Sequence, residues 1–236
     1  MKTNKSLWMA ILLLFGLQLT AWSETEERKV SAFSEINLRI PGKLYLEQGP
    51  VQKVTIDAKA SVLNEIITEI SGRTLIIRFP AKNYIWRNLD PGSITIHVTV
   101  PEIAGLSVSG SGDIYANGTL TTRIMDVTVS GSGNIELTDL QSERVKAQIS
   151  GSGNILLKSS KVTAEFTGNI SGSGNIKAPY LEAENVKVNI AGSGNCTIRS
   201  NGQCNVRIAG SGSFFYSGDP SIDSSIAGSG NIREIK

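Results

Sequence analysis

Gly-Ser-Gly occurs seven times between Gly110 and Gly230, and no other feature of the chain limits its possible folds so tightly. The first glycines are Gly110, Gly131, Gly151, Gly172, Gly192, Gly210 and Gly228, so the copies are 21, 20, 21, 20, 18 and 18 residues apart. A period near 20 residues held over half a chain signals a solenoid or another stacked array. Two residues before the first glycine stand Val108, Val129, Ile149, Ile170, Ile190, Ile208 and Ile226. Six before it stand Ala104, Met125, Val145, Phe166, Val186, Cys204 and Ile222, and four after it Ile114, Ile135, Ile155, Ile176, Cys196, Phe214 and Ile232. Apolar residues two apart on both sides of the motif indicate strands with one inward face. Each repeat therefore reads as strand, Gly-Ser-Gly corner, strand and a second, polar corner such as Thr138-Asp139 or Ser200-Asn201-Gly202.

One such unit cannot bury its apolar face alone. Stacked on its copies, with parallel strands about 4.8 Å apart, it places like residues on like and joins the isoleucine columns into one core. The fold class expected is all-β: a parallel β-helix-like solenoid of about 20-residue coils over 105–236, preceded by a less regular β-rich capping segment over 30–104. Glycine at the corner would allow a positive φ and a close approach of neighbouring backbones. Next in each copy comes Asp113, Asn134, Asn154, Asn175, Asn195, Ser213 or Asn231. Asn tolerates the left-handed region, and stacked amides can bond along the axis. Calcium-binding rolls need tandem motifs rich in carboxylates, and phosphate-binding loops need a helix and a Lys after the glycines. This motif comes once per coil and opens into another strand.

Lys2 and Lys5 precede an apolar run over 7–19 and the small residues of Ala21-Trp22-Ser23, the pattern of a secretory signal peptide over 1–23. No Cys stands at the cleavage point to carry a lipid. The expected mature chain is one domain, 24–236, in which basic and acidic residues balance at 21 each. Without a positive excess, nucleic acid is not an expected partner.

Between Val30 and Val100 the strands lack the motif. Ile36, Leu38 and Ile40, then Pro41-Gly42, then Leu44 and Leu46 read as a hairpin. Val62, Leu63, Ile66, Ile67 and Ile70 suggest a short helix capped by Ser61 that passes into a strand. Solenoids need such atypical terminal units, and Arg233, Glu234 and Lys236 supply charge at the other end.

No catalytic set accompanies these elements. His97 is the one histidine, on the outward face of a strand. The chain is therefore expected to be no enzyme and to need no cofactor or metal. Cys196 and Cys204 occupy inward columns of one coil, as packed thiols or, in an oxidising compartment, as a disulfide. The best binding patch in the sequence is the stretch 81–92, where Tyr84, Trp86 and Arg87 could meet a sugar or a protein, or else cover the end of the core.

An irregular β start followed by repeated Ser-Gly-Ser-Gly-Asn-Ile resembles the bacterial putative auto-transporter adhesin, head GIN domain family, over roughly 33–232. The resemblance implies a β-helix-like body without lyase residues and a role in cell adhesion, with an envelope protein or glycan as partner. No translocator-barrel pattern accompanies it, so a periplasmic location, or a cell-surface one reached with help, is expected. A carbohydrate-active enzyme on this scaffold would need clustered acids, whereas Glu136, Asp139, Glu143 and Glu165 are scattered. A purely structural envelope role is the other alternative.

Overall fold

The structure, a computed structural model, describes residues 23–80 and 92–235. The repeat builds a parallel β-solenoid. After β8 (Gly105–Gly110), the strands β9 (Asp113–Gly131), β10 (Asn134–Gly151), β13 (Asn175–Gly192) and β14 (Asn195–Gly210) each leave one Gly-Ser-Gly corner, round the second corner and enter the next. In two coils that path is split, into β11 (Asn154–Lys158) and β12 (Thr163–Gly172), and into β15 (Ser213–Ser217) and β16 (Ser221–Gly228); β17 (Asn231–Glu234) closes the row. Pairing is parallel and in register at every Gly-Ser-Gly corner: Gly131 on Gly151, Gly151 on Gly172, Gly172 on Gly192, Gly192 on Gly210. Differences in coil length are absorbed at the second corner, where the register shifts between Leu137 and Asp139 and between Ala178 and Glu182.

The apolar columns read from the sequence form the core up to the last coil, where Ile226 is exposed. Ile114, Ile135, Ile155, Ile176, Cys196 and Phe214 are each at most 1% exposed. The larger Phe166 fits among valines because Gly168 leaves space beside its ring; a Cβ there would come 3.2 Å from Phe166 Cε1.

The corner glycines divide the two tasks expected of them. The first glycine of each motif has φ between 122° and 131°, which an L side chain rarely adopts. The second has no such φ; it is required by proximity, since a Cβ on Gly153 would overlap the carbonyl oxygen of Gly133 and fall 2.5 Å from Val129 Cγ1. The gap is filled by backbone bonds, Ser152 N and Gly153 N both donating to Gly131 O at 2.9 and 3.0 Å. The asparagines are not left-handed, because among the described residues every positive φ belongs to glycine. They form a ladder instead: Asn134 Nδ2 donates to Asp113 Oδ1 (2.7 Å), Asn154 to Asn134 (2.9 Å), Asn175 to Asn154 (3.0 Å) and Asn195 to Asn175 (2.9 Å).

The N-terminal part corrects two expectations. β2 (Glu35–Leu38) and β3 (Lys43–Gln48) are not a hairpin, because they never pair with each other. β2 lies parallel to β8, Leu38 on Val108, and β3 parallel to β9, Leu44 on Ile114. Pro41-Gly42 is thus another solenoid corner, stacked beneath Gly110-Ser111-Gly112, with Asp113 N donating to Gly42 O at 2.9 Å. On the other side of this coil lie β6 (Thr74–Arg78) and β7 (Thr95–Val100), again parallel. The helix is shorter than expected: α1 is one turn, Ala60–Leu63, its N-cap is Lys59 rather than Ser61, and Ile67 already begins β5 (Ile67–Ser71). Ile66 is buried in the core cluster, so the apolar run is spent on packing rather than on extending a helix.

β5 turns through Gly72 (φ 61°) to pair antiparallel with β6, while β4 (Lys53–Lys59) pairs antiparallel with β7 and then with β1 (Ser23–Glu27). These antiparallel strands and α1, with Val62 and Leu63 buried, end the parallel stack at its N-terminal side. The opposite end is made more polar: Ser224 continues the column of Val206, and Glu234 that of Ile198 and Tyr216. No helix among the described residues is long and apolar enough to cross a membrane.

Candidate functional site

The outward faces follow from the same alternation. On the arm before the corner, the residue preceding the Val or Ile of each copy points outward and lines up with its copies as Thr128, Gln148, Asn169, Asn189, Arg207 and Ser225. The residue following the isoleucine is small: Ser150, Ser171, then Ala191, Ala209 and Ala227. Small side chains beside long polar ones leave an open trough of about 710 Å3 along the solenoid axis, with Ile149, Ile170, Ile190 and Ile208 beneath it. It crosses six coils, about 24 Å at about 4.8 Å per coil. Its polar wall is ordered by Asn189 Nδ2 donating to Asn169 Oδ1 (3.0 Å) and by Arg207 paired with Asp223 at 2.9 Å. A polar groove of about 510 Å3 runs along the same face, lined in part by Glu165, Lys187, Gln203 and Asp223.

The arm after the corner carries a different feature. Tyr45 pairs in register with His97 on one side and Tyr115 on the other, and all three point outward. Ring centroids lie 5.4 Å apart for Tyr45 and His97 and 5.6 Å apart for Tyr45 and Tyr115, the planes inclined by 19° and 25°. His97 Nε2 stands 3.9 Å from Asp57 Oδ2. Burial first, and then the Asp113 carboxylate, push the Tyr115 phenol above its ordinary value.

The sequence placed His97 on an outward face, where it lies, but missed its two partners. Tyr45 and His97 are 52 residues apart, and Tyr45 and Tyr115 are 70 apart. The available signal was the constant offset of 70 between Ile36 and Leu106 and between Leu44 and Ile114, which equates the two corners. Tyr84, Trp86 and Arg87 lie outside the described residues. Cys196 stacks between Ile176 and Phe214, Cys204 between Val186 and Ile222. Both are buried free thiols in this structure. Burial pushes both thiols up, with the nearby Cys204 adding to the effect on Cys196 and a hydrogen bond with Ser200 opposing it on Cys204. Among the described residues no group of three or more His, Cys, Asp or Glu side chains could hold a metal ion.

The sequence and the fold match known proteins. A family model described as "Putative auto-transporter adhesin, head GIN domain" matches residues 32–220. The chain belongs to the head GIN domain family. A crystal structure described as a putative adhesin from Bacteroides fragilis NCTC 9343 superposes with a TM-score of 0.84 at 25% identity, covering 93% of this chain and all of that one. A protein from Parabacteroides distasonis ATCC 8503, described as a putative lipid binding protein, superposes with a TM-score of 0.76 at 26% identity, covering 92% of this head GIN domain chain and 98% of its own. A putative adhesin from Parabacteroides merdae ATCC 43184, at 20% identity and a TM-score of 0.72, shares the fold. No curated protein matches this chain.

Proposed function

We propose that this head GIN domain protein is an exported, non-enzymatic binding module of the cell envelope, periplasmic or on the surface, that holds an amphipathic chain in its axial trough. The observation that carries this reading is the trough itself. Its floor is methyl and methylene groups, its wall is amides and one guanidinium, and its length suits an extended acyl chain with a polar head better than a compact metabolite. Apolar surface of this continuity is worth covering at about 25 cal/mol per Å2. The adhesin and lipid-binding descriptions of the solved relatives support the same class of role.

The test is binding of the mature chain, residues 24–236, to phospholipid vesicles, to a fluorescent fatty acid and to purified envelope glycans. An Ala191→Trp/Ala209→Trp variant fills the trough from two exposed positions. Lipid binding that this variant weakens at least tenfold supports the proposal. Binding that it retains moves the site elsewhere, and loss only on Tyr84→Ala/Trp86→Ala moves it to the 81–92 stretch. No binding of any kind favours a structural envelope role.

A further inference from the structure

The row of His97, Tyr45 and Tyr115 lies across the Gly-Ser-Gly corner from the trough and is independent of it. Beside the row, two residues along the same strands, stand Glu47 and Asn117, and with Gly118 and Thr119 they complete an open groove of about 490 Å3. The groove is preformed. Gln48 pins the turn that shapes it: its Nε2 donates to Pro101 O at 3.0 Å and to Thr121 O at 3.1 Å, while its Oε1 accepts from Thr121 N at 2.7 Å. Rigid walls reduce the ordering cost that a ligand must overcome.

The chemistry of the walls restricts the ligand. Aromatic rings in a row offer apolar surface with polar tips, suited to the C–H patches of a sugar, while an amide and a carboxylate alongside can take its hydroxyls. Carboxylates also surround the row. Asp57 lies by His97, Glu47 lines the groove, and Asp113 and Glu136 are close enough to Tyr115 to disfavour a further negative charge there. Cross-strand aromatic pairs also stabilise a sheet. A row kept only for that purpose would not require a pinned groove beside it.

We infer that this groove is a sugar-binding subsite that accepts a neutral or amino-bearing sugar unit of a glycan and rejects uronic acids. Exclusion of the acid follows from placing a further carboxylate among those already there.

The test is isothermal titration of the mature chain with neutral and amino hexasaccharides (gluco-, manno-, galacto-, N-acetylgluco- and glucosamine) and with hexagalacturonate. The decisive variant is Gly118→Trp. A Cβ at Gly118 meets nothing within 4 Å, and its φ lies outside the left-handed range, so the indole can enter the groove without disturbing the coil. At least one neutral or amino hexasaccharide should bind. Gly118→Trp and Tyr115→Ala should each weaken it at least tenfold, the former with an unchanged melting temperature. Hexagalacturonate should bind at least tenfold more weakly, and Glu47→Gln should narrow that gap. The trough variant Ala191→Trp/Ala209→Trp should leave sugar binding intact, which separates this site from the trough. Failure of every hexasaccharide to bind, full binding by folded Gly118→Trp, or equal affinity for the uronic acid would overturn the inference.

Discussion

Gly153 sits so close above Gly133 that a Cβ on the upper residue would overlap the lower carbonyl oxygen. The neighbouring coil cannot yield, because that oxygen belongs to backbone and Asn154 N donates to it at 3.2 Å. Gly153→Ala should therefore destabilise the protein by roughly 3 kcal/mol or more, well beyond the approximately 1 kcal/mol of a glycine-to-alanine propensity change. Ser152, exposed between the two glycines, should tolerate Ala within about 0.5 kcal/mol. Urea unfolding of the two variants beside the parent gives the comparison, and equal midpoints would refute the corner geometry.

The amide ladder is a second, separable contribution. Asn154 donates to Asn134 and accepts from Asn175, so Asn154→Ala removes two bonds and leaves two amide groups half-satisfied. A loss of roughly 1–3 kcal/mol is expected, with the backbone register unchanged. Hydrogen exchange should accelerate in the coils of Asn134, Asn154 and Asn175 before it does so near Asn195.

Acid should loosen the N-terminal coil at Glu35. Hydrogen bonds from Arg73 and Thr74 hold its carboxyl below the ordinary value of 4.5. A depressed folded pKa means that the contribution is fully present above about pH 4.5 and is lost as pH falls through the lower, folded value. The pair is partly exposed, so the effect is about 1 kcal/mol or less. Glu35→Gln should accordingly be less stable than the parent at pH 7 and indistinguishable from it at pH 2, as read by thermal melts across that range.

Burial keeps Cys196 and Cys204 protonated, so neither should react with an alkylating reagent at pH 8 in the folded protein. Two thiols should titrate after unfolding without reductant. Finding none would show that the protein joins them, as an oxidising compartment would permit.

The repeat made the solenoid legible, because a column such as Ile135, Ile155 and Ile176 fixes both the strand period and the coil length. The N-terminal coil was not legible to the same degree. Pro41-Gly42 lacks the Gly-Ser-Gly signature, and a turn between two alternating runs carries the same local signal whether the runs pair with each other or with distant strands. The choice is made by long-range register, Leu38 on Val108 and Leu44 on Ile114, which no short window contains. For the same reason His97 looked solitary: its aromatic neighbours come from strands adjacent in space but not in order. The asparagine column was read correctly as a bonding ladder and incorrectly as left-handed backbone, because the corner's unusual φ falls on the glycine three residues earlier.

The first coil lies between strands from 74–100 on one side and from 105–115 on the other. A chain emerging from its N-terminus therefore makes its central layer before either layer that covers it. One side can be covered once β6 and β7 appear, but the other waits for β8 and β9, Leu44 for Ile114 70 residues later, and closing so long a loop is the slow, entropically costly event. Every coil after it finds a finished template and adds in sequence order. Assembly thus has the character of seeded growth: one late-closing seed at the N-terminal end, then rapid lengthening in a single direction. The number of Gly-Ser-Gly layers can change without rebuilding the seed.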